Sequence, residues 1–307
     1  MNNFFKIVAI SLSLWTLNSS AQVTTTPPVS DSLQVMTVND YDKLQNFEVS
    51  PARYTAHNKG KFYIFWGGNR GSFSKSDIHF RGNDYDFTLE NVAADDKPKG
   101  WHIDYINPAR MTIPQTNLRI GYFITDKYNI SIGLDHMKYV MRQNQVVDFK
   151  GHYPNEGSYN ERPNTIANNE IQLTEDFLTF EHTDGLNYIN TEISRVDDIS
   201  KLFRINNTDK IQINITEGVG GGIIFPKTNT KLLNKERYDE FNVAGFGLSA
   251  KAGLNITFLK YFFVQAELKG GYINMNNIRT TDSRSDKASQ DFFFLERVIA
   301  FGGIFRI

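Results

Sequence analysis

The residues best suited to chemistry in this chain are its six histidines, because an imidazole changes charge near neutral pH. They are scattered, at His57, His79, His102, His136, His152 and His182. Glu181, His182 and Asp184 stand close enough together to suggest a divalent-cation site. A few polar residues beside Gly185 more often mark a kink in a strand, and that reading is preferred. Gly218 and the run Gly220, Gly221, Gly222 are followed by no helix, so a phosphate-cradling loop is not expected. Small residues there would instead admit bulky partners across an interior, Phe263 among them. Asp95, Asp96, Lys97, Pro98 and Lys99 read as a solvated loop. The chain has no cysteine, which excludes disulfides, thiol catalysis and thiolate metal sites. No catalytic residue, metal or cofactor is expected.

The elements that position these residues are strands. Met1 to Lys6 carries positive charge, Ile7 to Leu17 is apolar, and Ser19, Ser20 and Ala21 are small, the pattern of a signal peptide over residues 1–21. Its apolar run is shorter than the ~20 residues of a membrane-crossing helix, and no later run is long enough either. Residues 22–59, rich in Thr, Pro, Ser and Asp, read as a flexible periplasmic lead-in. Residues 60–307 carry the fold. Lys plus Arg number 33 against 34 Asp plus Glu, so the basic excess of a nucleic-acid binder is missing and no nucleic-acid partner is expected.

From Gly60 onward the side chains alternate with period two, as in strands with two different faces. Phe62, Ile64 and Trp66 alternate with Lys61, Tyr63 and Phe65; Leu118, Ile120 and Tyr122 with Asn117, Arg119 and Gly121. The same pattern covers Ile130 to Asp135, Tyr188 to Ile193, Ile211 to Thr216, Phe246 to Ile256 and Tyr261 to Lys269. The last segment, Glu296 to Ile307, puts Ile299, Phe301, Gly303, Phe305 and Ile307 on one face. Connections alternate between short, as at Asp126 to Asn129 and Leu259 to Lys260, and long, as at Asn69 to Met111 and Arg142 to Glu175. Only Arg195 to Lys210 is longer than a periplasmic turn should be. Eight strands, short turns on one side and long loops on the other predict an antiparallel up-and-down transmembrane β-barrel. Ile78, Phe80, Tyr85, Phe87 and Leu89 predict an additional hairpin above the membrane, and ten strands result if that hairpin enters the wall.

Parity then sorts the charges. Arg119, Asp135, Glu192, Lys251, Glu267, Lys269, Glu296 and Arg306 fall on the inward face, four acids and four bases. A small barrel fills its lumen with side chains, and such charges must pair there. Arg119 and Asp135, on strands joined by a tight turn, are placed to meet directly. Glu217 falls on the outward face, unless a bulge in the following glycine run turns it inside.

These strands and loops, together with the ending Phe301, Gly303, Phe305, Ile307, resemble small outer-membrane β-barrel proteins of the eight-stranded Gram-negative class. The resemblance spans about Gly60 to Ile307 and includes no catalytic motif. It implies an outer-membrane location, contact with outer-membrane lipids and lipopolysaccharide, and delivery to the barrel-assembly machinery through the terminal strand. The expected role is a structural or interaction scaffold whose long loops meet an unidentified extracellular ligand. Three alternatives stay open: a narrow pore, a lipid A-modifying enzyme and a secreted soluble β-sandwich. For the enzyme, His136 has suitable depth and parity, but no serine on a neighbouring strand accompanies it.

Overall fold

The computed structural model describes residues 57–98, 100, 114–159 and 169–307. The expected signal peptide (1–21), most of the expected lead-in, Trp101 and His102 lie outside the described residues.

The strands are β1 (Phe62–Phe73), β2 (Ser76–Arg81), β3 (Asp86–Val92), β4 (Ala94–Asp96), β5 (Thr116–Phe123), β6 (Tyr128–Met141), β7 (Val146–His152), β8 (Glu170–Gln172), β9 (Leu178–Asp198), β10 (Ile211–Ile224), β11 (Lys227–Leu232), β12 (Tyr238–Phe241), β13 (Gly245–Phe258), β14 (Phe262–Arg279) and β15 (Lys287–Phe305). Eight of them form the wall, in the order β1-β5-β6-β9-β10-β13-β14-β15, and β15 pairs back onto β1. Every neighbouring pair is antiparallel, and closure leaves the wall no free edge, so its backbone groups are satisfied without water. The wall has eight strands, not ten.

The outward faces carry the apolar residues that the alternation predicts. Ile120, Ile132, Ile193, Val219, Leu248, Leu268, Ile299 and Phe301 are all exposed. In water such a surface would be a severe liability; facing lipid it is the solvated state. Aromatic rings gather toward its two margins. Phe62 stands 4.8 Å from Tyr122 at one, and Tyr272 stands 5.3 Å from Phe293 at the other.

The long connection from β9 to β10 holds a short 3-10 turn at Ser200–Phe203, so this periplasmic link is a folded element rather than a tight turn. Pairing of β10 with β9 and β13 runs without a register shift, so Glu217 stays on the outward face, opposite Arg195 and Ala252. The bulge that would have turned it inward is not there. Asp95 and Asp96 belong to β4, paired with β6, rather than to a free loop, and Arg142 holds Asp95 at 2.7 Å.

On the other side the strands outrun the membrane. The upper end of β15 continues through β2, β3 and β7 to β8, giving a sheet that folds over the mouth, while β11 and β12 extend from β9. The predicted hairpin is β2–β3 and lies in this cap. Its apolar residues share one buried cluster with the upper strands, including Phe80, Phe87, Phe149, Phe177, Phe180, Tyr139 and Phe292. Phe80 packs edge-on against Phe180 at 5.6 Å and so ties the cap sheet to β9 across the mouth.

Candidate functional site

The lumen is filled in three layers. Nearest the periplasm, Tyr63, Phe65, Phe123, Phe263, Val298 and Ala300 form a small apolar cluster. It borders a cavity of about 60 Å³ whose polar wall includes Asn129, Gln212, Asn255 and Lys251. Above it lies the charged layer, and above that the apolar core of the cap.

The charged layer is built by inward parity on five wall strands. Arg119 comes from β5, Asp135 from β6, Glu192 from β9, Lys251 from β13, and Glu267 and Lys269 from β14. Glu192 is the hub. Its Oε1 lies 2.9 Å from Arg119 Nη2 and 2.7 Å from Lys269 Nζ, and its Oε2 lies 2.7 Å from Lys251 Nζ. Lys269 Nζ also meets Asp135 Oδ2 at 2.7 Å, and Lys251 Nζ meets Glu267 Oε2 at 3.1 Å. Arg119 stands 3.6 Å from Asp135, so the expected partners do face one another, though the closer pairing is with Glu192. Neutral side chains complete the layer. Arg119 donates to Ser131 Oγ at 3.2 Å and to Asn190 Oδ1 at 2.8 Å, while Asn117 and Asn190 donate to the two oxygens of Asp135. These partners were identifiable by the same parity rule; attention to charged residues alone passed over them.

Close approach of the charged groups depends on small neighbours. A Cβ at Gly133 would sit 2.7 Å from Arg119 Cζ, and one at Gly220 would sit 2.6 Å from Glu192 Cγ. Each glycine is the cross-strand partner of the side chain it accommodates. The glycine run on β10 thus seats Glu192 and not Phe263, whose ring lies over Gly302. Of the other expected members, Glu296 is fully buried at this level on β15, directly opposite Lys269 in register, but makes no ion pair among the described residues. Arg306 is not in the lumen. The strand ends at Phe305, and beyond it Arg306 is exposed and donates to the Lys59 carbonyl at 2.9 Å. The layer therefore holds four acids and three bases. In the terminal segment Phe301 and Phe305 face outward, Gly303 lies between them, and Ile307 projects past the strand.

Among the described residues, the histidines point to no common centre. His136 is buried, its Nδ1 2.7 Å from Asn187 Oδ1, and so does not present its ring to lipid. His182 is buried against Tyr139 and Phe180, with Nδ1 2.9 Å from Thr228 Oγ1. Burial pushes its pKa down to about 3. Glu181 accepts from Asn229, and Asp184 pairs with Lys227 at 3.2 Å, so the three side chains diverge instead of enclosing a cation. His79 meets Asp86 at 2.9 Å on the exposed side of the cap hairpin.

No family model matches the sequence, and no curated protein matches it. Among solved structures, the chain is similar to the outer-membrane protein OprG from Pseudomonas aeruginosa, with 11% identity over 82% of this chain and 98% of that one, at a TM-score of 0.36. It is also similar to Ail of Yersinia pestis, with 11% identity over 80% and 99% of the two chains and a TM-score of 0.30. Neisserial surface protein A gives 9% identity over 80% and 99%, again at 0.30. Likeness at this level carries no argument about what those proteins do, and the fold assignment rests on the ring itself. Its closure, apolar outer face and charged, side-chain-filled interior make this chain a small eight-stranded antiparallel β-barrel of transmembrane build.

Proposed function

We propose that the protein is an outer-membrane scaffold that offers its extracellular cap to a partner and does not serve as a channel or an enzyme. The observation that supports this most is the stacking of three filled layers along the lumen, with Glu192 tying three cations together midway. A conducting pore would need this layer to open, which means separating several buried ion pairs at once. The cap, by contrast, has what an interaction surface needs. It is a rigid sheet with its own apolar core, held above the membrane and bearing charged outer positions such as Glu90, Asp148 and Lys150.

The reading carries the rest of the expected biology with it: export by a cleaved signal, insertion by the barrel-assembly machinery through the strand that carries Phe301, Gly303 and Phe305, and lipopolysaccharide around the outer half of the wall. Reconstitution in planar bilayers tests it. The scaffold reading predicts a silent membrane at protein levels where a porin gives discrete steps. Reproducible single-channel steps from the intact chain would contradict it.

A further inference from the structure

The link from β9 to β10 presents two large apolar side chains outside the wall. Leu202 is 78% exposed and Phe203 57%, both in the 3-10 turn Ser200–Phe203. Strand alternation explains the exposure of Ile193 and Val219, but it does not reach this turn. The turn is nonetheless a built element. The Ile199 N–H donates to the Ile213 carbonyl and the Ile213 N–H to Ser200 Oγ, each at 2.9 Å, which fastens the turn to the lower end of β10. Arg204 closes it, its N–H donating to the Lys201 carbonyl at 3.1 Å.

The surroundings are cationic. Lys201 precedes Leu202, Arg204 follows Phe203 and Lys210 ends the link; all three are exposed and make no ion pair among the described residues. The acids of the same rim are already engaged. Asp209 pairs with Lys260 at 3.0 Å, and Asp197 pairs with Arg195 and Lys127. Asp126 and Asp198 accept from the backbone N–H groups of Lys59 and Ser200. Over residues 57–61, 124–128, 195–210, 258–261 and 305–307, nine Lys and Arg stand against four Asp, in a chain whose net charge is −1. The short-turn end of the barrel is therefore positive while the chain as a whole is not.

We propose that the turn Ser200–Phe203 is an interfacial anchor on the inner leaflet. Leu202 and Phe203 enter the acyl chains, and Lys201, Arg204 and Lys210 meet the headgroups of anionic phospholipids. An apolar tip flanked by cations is the composition of segments that lie in a membrane interface, and each base near an anionic surface adds attraction. The occupant is a lipid surface rather than a soluble partner because the patch continues one. Ile215, Ile213 and Ile211 carry the apolar outer face down β10 to its first residue, beside the turn, and Ile211 is the cross-strand partner of Phe258 on β13. The proposal rests on the transmembrane reading and deepens it by naming the headgroup chemistry that this rim recognises.

The test exploits a chain without cysteine. Leu202→Cys carrying a nitroxide gives the full chain a single reporter, read by its collisions with oxygen, which concentrates in lipid, and with a water-soluble nickel chelate. The chain is reconstituted in bilayer discs of phosphatidylethanolamine, alone or with phosphatidylglycerol added. With phosphatidylglycerol the label should read as buried in lipid, and deeper than without it. Lys201→Gln, Arg204→Gln and Lys210→Gln should each cut the buried population about fivefold in the anionic discs. A label in water in both bilayers would overturn the anchor. Equal depth in both would overturn the anionic headgroup as its partner, and spin–spin broadening between labels would assign the tip to a second copy of the chain instead of lipid. Heat-dependent gel mobility of the same samples separates the two levels. An aqueous label with the mobility shift intact refutes only this proposal, whereas absence of any shift in the wild-type chain refutes the barrel on which it stands.

Discussion

Arg119 Nη2 and Glu192 Oε1 meet at 2.9 Å in the middle of the lumen, each side chain 1% exposed. Glu192 also receives Lys251 and Lys269, so its loss takes one buried partner from each of three cations. Removing one partner of a buried pair costs about 3–5 kcal/mol. Glu192→Ala is expected to lower unfolding stability in lipid vesicles by that order, read from the guanidinium midpoint. A variant within about 0.5 kcal/mol of wild type would mean that the pairs carry no net stability.

Glu296 should behave in the opposite way. It is buried beside the same layer, yet no base among the described residues pairs with it, and acids outnumber bases there by four to three. Glu296→Gln keeps the shape and removes the surplus acid. The expected result is a midpoint equal to or above that of wild type, in contrast with Glu192→Gln, which should fall. Equal losses in the two variants would show that the layer has no surplus.

Phe263 provides a packing test. Its Cζ would lie 2.3 Å from a Cβ at Gly302, with the Ile64 carbonyl 2.6 Å away on the other side. A side chain at 302 therefore has to displace the ring or spread the β1–β15 closure. Gly302→Val is expected to cost about 1–3 kcal/mol and to lower the temperature at which the barrel unfolds on gels. Gly303, where a Cβ would meet only the Tyr261 carbonyl at 3.6 Å, supplies an adjacent control position.

His182, in the extracellular extension of β9, sets a pH dependence. It is buried neutral, with a folded pKa of about 3 against an ordinary 6.5. Below pH 6.5 the unfolded chain takes up a proton that the folded chain refuses. Stability of the cap should therefore fall as pH drops from 6.5 toward 3 and level off beneath that. Hydrogen exchange of the upper strands at pH 7 and pH 4.5 measures this. His182→Gln should flatten the dependence, whereas an unchanged slope would assign it to other groups.

The wall was readable because its two faces see different solvents, so that Arg119 and Ile120 differ in kind as well as in position. The same rule, applied to every residue, finds Asn117 and Asn190 inside and Arg297 outside. Arg306 escaped it because parity says nothing about where a strand stops. The cap was only partly legible. Phe80 and Phe87 announce a hairpin, but the packing of Phe80 on Phe180 joins segments about a hundred residues apart, and no local period encodes such a contact. His182 was within reach of the same rule: the register of β6 against β9 shifts between Met137 and Tyr139, next to Gly185 with its φ of +146°, but by an even step, so His182 keeps the inward parity of Glu192 and is buried.

The central claim is a closed transmembrane barrel, and the most direct measurement is gel mobility of the outer-membrane fraction, boiled against unboiled. With every wall strand hydrogen-bonded on both sides, the unboiled chain should resist SDS and migrate apart from the boiled one. Recovery of the protein in the soluble periplasmic fraction, with the same mobility before and after heating, would contradict the account and make the apolar outer face the contact surface of some other assembly.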